Sequence, residues 1–167
     1  MRDYGQVVGQ NQVICATKMG TEAETIRSFA RDKVEWSGRF GLGWFFAQMG
    51  EESEVKYISG KGIPWHTHPD GDPRLSLEDW ILFLLDPSRS LLLATRDRLI
   101  QYHKKYPTKI ILFCKKIGLT GQASWSLKVA RFGKFLSQSQ QLTDPYDFSE
   151  TLVCQKLNII IEDGKQI

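Results

Sequence analysis

The chain has 167 residues, 41% of them hydrophobic and 25% charged, and its 22 basic side chains face 19 acidic ones for a net charge of +3. That length buries a core without staples and fits a single domain over residues 1–167, while the composition excludes a disordered or fibrous chain. The near balance of charge gives no footprint for direct nucleic-acid binding: Lys104-Lys105 and Lys115-Lys116 are only pairs and read as solvated strand ends.

Three cysteines, Cys15, Cys114 and Cys154, are odd in number and widely spaced, which argues against a disulfide framework and against a cysteine zinc knuckle. The N-terminus lacks a charged-then-apolar signal pattern. The apolar run Trp80–Leu85 is too short to span a bilayer. The expectation is a cytoplasmic protein with no membrane partner.

In chain order, the first strand candidate is Gln12–Thr17. Thr21 followed by Glu24 forms a capping box. Ile26, Phe29, Ala30 and Val34 recur at helical spacing and predict a helix over about Glu22–Lys33. Glu35–Ala47 is punctuated by glycines and then aromatic, as in a buried strand with close backbone approaches; Trp44-Phe45-Phe46 suits a core. Gly50–Ser53 reads as a polar turn and Val55–Ser59 as a return strand. Ile63–His68 is another short strand, and Asp70-Gly71-Asp72-Pro73 is a turn. Ser76 opens a helix over Leu77–Leu85 that Asp86-Pro87 stops. Leu91–Ala94, Leu99–His103 and Lys109–Lys115 read as strands, the last the most hydrophobic. Trp125–Leu136 reads as a helix that packs on the sheet. From Gln138 the chain is polar until an apolar strand at Leu157–Ile161. The sum is α/β: one domain with a mixed β-sheet flanked by helices.

Two of the three histidines stand in Trp65-His66-Thr67-His68-Pro69. Alternate residues of a strand share a face, so His66 and His68 point the same way, which is half of a zinc site. Asp79, eleven positions beyond His68 and in the first turn of the next helix, can supply a third ligand. Two histidines and one carboxylate leave a fourth tetrahedral position for water, the catalytic pattern.

His66-x-His68-Pro69, six residues, then Ser76-x-x-Asp79 resembles the JAMM motif of the MPN-plus (JAB) zinc metalloproteases position for position. With residue usage of about 5–7% each, finding Pro, Ser and Asp at these offsets by chance is on the order of one in several thousand. Glu35-x-x-Gly38 is similar, less tightly, to the glutamate that this family carries after its first long helix. The resemblance covers roughly residues 21–94. It implies an MPN (JAB)-like fold for the domain and one zinc ion per chain held by His66, His68 and Asp79. Glu35 would then be the general base on an activated water, and Ser76 would help to stabilise the oxyanion of an amide under attack. The implied substrate is a ubiquitin-like protein or its conjugate, with E1-like and E2-like operon partners. A non-enzymatic MPN scaffold, a DNA-repair-associated JAB relative and a peptidoglycan hydrolase are the other classes.

Simpler roles exist for several of these residues. Ser76-x-x-Asp79 is also an N-cap with an acidic N3 residue, stapled by Leu75 and Trp80, and the two roles can coexist. Glu35, beside Trp36, is expected to be partly buried. Glu51, Glu52 and Glu54 belong to a solubilising turn, Asp70 and Asp72 are turn formers, and His103 has no partner spacing.

Overall fold

Trp36 and Phe40 alternate along one stretch and Phe45, Ala47 and Met49 along the next, and together they give one face of a sheet to a core. The computed structural model describes residues 6–9, 12–15, 22–50 and 60–164, the first two stretches by their backbone. The elements are β1 (Gln6–Gly9), β2 (Gln12–Cys15), α1 (Glu22–Phe29), β3 (Trp36–Gly41), β4 (Trp44–Met49), β5 (Ile63–Thr67), α2 (Leu77–Leu85), β6 (Ser90–Ala94), β7 (Leu99–Lys104), α3 (Pro107–Ile117), α4 (Trp125–Gln140), α5 (Glu150–Leu157) and β8 (Ile159–Gly164). The expected α/β class with a mixed sheet is therefore present. No described helix is long and apolar enough to cross a membrane. Thr21 of the expected capping box and the expected strand Val55–Ser59 lie outside the described residues.

The described residues fall into two compact units. The first, within Met1–Pro73, Ser90–Tyr102 and Glu162–Ile167, holds β1 to β6 and part of β7 and β8; the strand order is β1-β2-β4-β3-β5-β6-β7-β8. From β1 to β6 the pairing is antiparallel except for β5 with β6, which is parallel. One sheet face carries Trp36, Phe45, Ala47, Trp65 and Ala94, packed with Ile26, Phe29 and Ala30. The rings of Phe45 and Trp65 stack at 5.1 Å, and Phe29 meets Trp36 at 4.4 Å. Gly38 makes room for this stack: a Cβ there would stand 1.9 Å from the Phe46 carbonyl oxygen and 2.8 Å from the Trp65 ring.

Three expectations change in this unit. Of Trp44-Phe45-Phe46, expected in the core, only Phe45 is fully buried and Trp44 is exposed, because alternate residues of β4 face away from the core. The glycine-rich stretch is a hairpin, not one strand: Gly41 pairs with Trp44 across Leu42-Gly43, and Gly43 takes φ 77°, which a residue without Cβ adopts at no steric cost. Helix α1 ends at Phe29 rather than Lys33, because the next residues turn the chain into β3, with the Trp36 indole donating to Asp32 (2.8 Å).

The second unit, within Arg74–Arg89 and His103–Ile161, is helical. Helix α2 buries Leu77, Trp80, Ile81, Phe83 and Leu84. It stops where expected: Asp86, which precedes Pro87, is extended (φ −70°, ψ 135°), the conformation that a following proline enforces. The expected strand Lys109–Lys115 is instead helix α3. Pro107 begins it, Gly118 closes it, and only Ile110 and Cys114, one turn apart, are buried, while Ile111 and Leu112 are exposed. The polar tail contains a further helix, α5, capped by Ser149, with Val153, Cys154 and Leu157 buried; Leu157 ends this helix rather than opening the last strand. Helix α4 lies against α2 and α3 in this unit, with Phe113 meeting Phe135 edge-on at 4.7 Å. Lys104, read as solvated, is 3% exposed; its ammonium donates to the Asp86 carbonyl and sits 4.7 Å over the Phe83 ring. Burial pushes its pKa down to about 8, partly offset by Asp86. Cys114 and Cys154 are free, buried thiols, raised by that burial to about 11 and about 12.

Candidate metal centre

His66 is the fourth residue of β5, and His68 follows the strand's last residue, still tied to β6 by its backbone N–H to the Ala94 carbonyl (2.9 Å). Both imidazoles are buried. Their shared face is the one opposite Trp65, so the sheet separates them from the aromatic core. The two Nε2 atoms stand 3.2 Å apart. Two nitrogens at tetrahedral positions about 2.0–2.1 Å from one zinc ion would be ~3.3 Å apart. The pair therefore has the spacing of two ligands of one ion.

His68 is also fixed from behind. Its Nδ1 lies 2.9 Å from the Asp72 carbonyl oxygen, and a carbonyl only accepts, so Nδ1 carries the proton and Nε2 presents its lone pair. This is the usual outer partner of a ligating histidine. Asp72 serves through its backbone, while the Asp70 carboxylate accepts from the Asp72 N–H (3.0 Å) and closes the turn.

Asp79 is the third residue of α2, and Ser76 is the N-cap. The expected N-cap is present and goes further than expected, closing a reciprocal capping box: the Asp79 N–H donates to Ser76 Oγ (3.0 Å) and the Ser76 N–H donates to Asp79 Oδ2 (3.1 Å). The second bond orients the carboxylate and engages one of its oxygens. Accepting from Asp79 does not spend the Ser76 O–H proton, and Ser76 is exposed. Leu75 and Trp80, the expected staple, are both buried, and one atom joins them: Glu150 Oε2 accepts from the Leu75 N–H (2.9 Å) and from the Trp80 indole (3.3 Å). No local pattern at residues 75–80 points to Glu150, which is remote in sequence.

Among the described residues, His66, His68 and Asp79 each offer one ligand atom, and these atoms lie within 4.8 Å of one another, so the trio could hold a metal ion. The donor set, two imidazoles and one carboxylate, is one that suits zinc.

Glu35 directly precedes β3, and its carbonyl accepts from the Gly50 N–H (2.7 Å), which carries the β3–β4 ladder one residue beyond Trp36. On the other side Ser37 pairs with His66, and the Trp36 N–H donates to Thr67 Oγ1 (2.9 Å). The β3–β5 pairing ends at Ser37 with His66; the same antiparallel register extended by two positions would set Glu35 opposite His68. Directly opposed residues project to the same side of a sheet, so Glu35, Ser37, His66 and His68 belong to one face. Glu35 is partly buried, as expected. His103 is in β7, half-buried. Glu51, Glu52 and Glu54 lie outside the described residues.

No protein-family model, curated protein or solved structure matches this chain.

Proposed function

We propose that the chain is a zinc-dependent metallopeptidase of the JAMM type that hydrolyses amide or isopeptide bonds, and that it processes or deconjugates a ubiquitin-like protein. The observation that carries this reading is the 3.2 Å separation of two histidine Nε2 atoms on one strand face. A bound zinc ion would supply Lewis acidity and a water of lowered pKa. The chain's own groups have separate tasks. His66, His68 and Asp79 are the ligands, with His68 held in the ligating tautomer by Asp72. Glu35, which the extended register would set opposite His68, takes a proton from the attacking water and returns it to the leaving amine. Ser76, its proton unspent by the cap, donates to the oxygen of the amide as negative charge develops there. The ubiquitin-like substrate, and with it E1-like and E2-like partners, comes from the resemblance.

The test is cleavage of a ubiquitin-like fusion by the zinc-loaded protein beside its Glu35→Gln variant. Cleavage that is lost on chelation, returns with zinc and fails in the variant supports the reading. Zinc-independent cleavage, or none on any ubiquitin-like fusion or peptide, would sink it.

A further inference from the structure

Acidic side chains are absent from a long stretch of this chain. Residues 98–143 contain nine Lys and Arg residues and not one Asp or Glu, which leaves 13 basic against 19 acidic residues elsewhere. The net charge of +3 hides this segregation. The stretch includes α3 and α4, which pack on each other in the helical unit. Lys105, Lys109, Lys115, Lys116, Arg131 and Lys134 are exposed there.

The outward face of α3 is also apolar. Ile111 and Leu112 are 52% and 60% exposed. One turn on, Lys115 and Lys116 lie beside them, since positions four apart are neighbours on a helix. Trp125 and Leu127, in the first turn of α4, are exposed as well (44% and 41%). Burying Ile110 and Cys114 already anchors α3, so its outward aliphatics serve no described core.

We propose that the outward surface of α3 and the first turn of α4 docks on an anionic lipid surface. Ile111 and Leu112 enter the headgroup boundary while Lys109, Lys115 and Lys116 lie among phosphate and carboxylate headgroups. A bilayer presents diffuse negative charge, and two helices that carry no carboxylate match it without a fixed pattern of pairs. Exposed aliphatic side chains with lysines one turn on suit the lipid boundary. A nucleic acid would instead call for open aromatic platforms. Of the aromatics here, Tyr106 and Trp125 are partly open, and Lys105 and Lys109 already stand 5.4 and 4.7 Å from the Tyr106 ring, so the oligonucleotide arm of the experiment below separates the two occupants.

The experiment is co-sedimentation of the full chain with phosphatidylcholine vesicles containing about a third phosphatidylserine, beside pure phosphatidylcholine vesicles, at low and high salt. Binding is expected to the anionic vesicles only and to fall with salt. Lys115→Glu with Lys116→Glu is expected to weaken it by about tenfold or more, since each basic residue near such a surface contributes on the order of a fivefold gain. Leu112→Ser should weaken it too, with an unchanged circular dichroism spectrum as the check on folding. Equal binding to both vesicles, or no binding to either, would overturn the proposal. So would binding to an oligonucleotide that the lysine variant abolishes while anionic vesicles fail to sediment the protein; that result would assign the surface to nucleic acid.

Discussion

Nε2 of His66 and Nε2 of His68 stand 3.2 Å apart because alternate positions along β5 put both rings on one face and the Asp72 carbonyl turns the second ring toward the first. The purified protein is therefore expected to carry about one zinc ion per chain. Elemental analysis should show the metal lost from His68→Ala. Full occupancy in the His66→Ala, His68→Ala double variant would refute the ligand assignment.

Glu35→Gln separates chemistry from binding. The amide keeps the size of the carboxylate and removes its basicity, and Glu35 is not among the ligands. Zinc content should stay near one per chain while turnover of a ubiquitin-like fusion falls on the order of a hundredfold or more. A fully active variant would move the base to another residue.

Ser76 has two separable tasks. The cap is in place, so Ser76→Ala is expected to cost about 0.5–2 kcal/mol of stability in denaturant titration. Ser76→Asp keeps the cap but carries no proton to donate and places negative charge at the developing oxyanion. It should fold, bind zinc and be nearly inactive. Near-normal cleavage by that variant would leave Ser76 as a helix cap alone.

Gly38→Ala is expected to destabilise the protein by about 1–3 kcal/mol or more, since the added methyl meets both backbone and the Trp65 ring. A denaturation midpoint equal to that of the native sequence would show that the sheet yields there at no cost.

Lys104 links stability to pH. Its folded pKa of about 8 lies below the usual 10.5, so between these values the unfolded chain binds the extra proton and stability rises with pH. The buried thiols act in the opposite sense: raised to about 11 and about 12, they contribute stability that is lost as pH climbs toward those values. Comparing the native protein with Lys104→Met cancels Cys154 and, because burial rather than Lys104 dominates the rise at Cys114, most of that thiol's contribution too. The native protein should gain unfolding free energy relative to the variant from about pH 8 to about pH 10.5. Parallel curves across that window would show that Lys104 does not titrate with a depressed pKa.

Signals that act over a few residues were legible in the sequence. Ser76-x-x-Asp79 gave a helix N-cap, Asp86-Pro87 a helix stop, and His-x-His a shared strand face, because each depends on neighbours three positions away or fewer. The run Ile110-Ile111-Leu112-Phe113 was read as a strand because a short apolar run has no period of its own. Pro107 and Gly118, eleven positions apart, were the better guides to α3. Gly41-Leu42-Gly43 was read as the inside of a strand although a turn needs the same residues. Helix α5 is only eight residues long, too short to show a clear helical period, and Ser149 marks its start. The register that would set Glu35 opposite His68, and the reach of Glu150 to Leu75, arise from tertiary pairing that no local pattern encodes.

The Glu150 contact also has a consequence in time. The carboxylate that holds Leu75 and Trp80 lies 75 and 70 positions downstream of them. During synthesis the ribosome delivers the histidine strand and the start of α2 long before it delivers Glu150. Until then the turn that carries Ser76 and Asp79 has its own cap but not Glu150, so a nascent chain acquires its histidine pair first and this second anchor of α2 some 70 residues later.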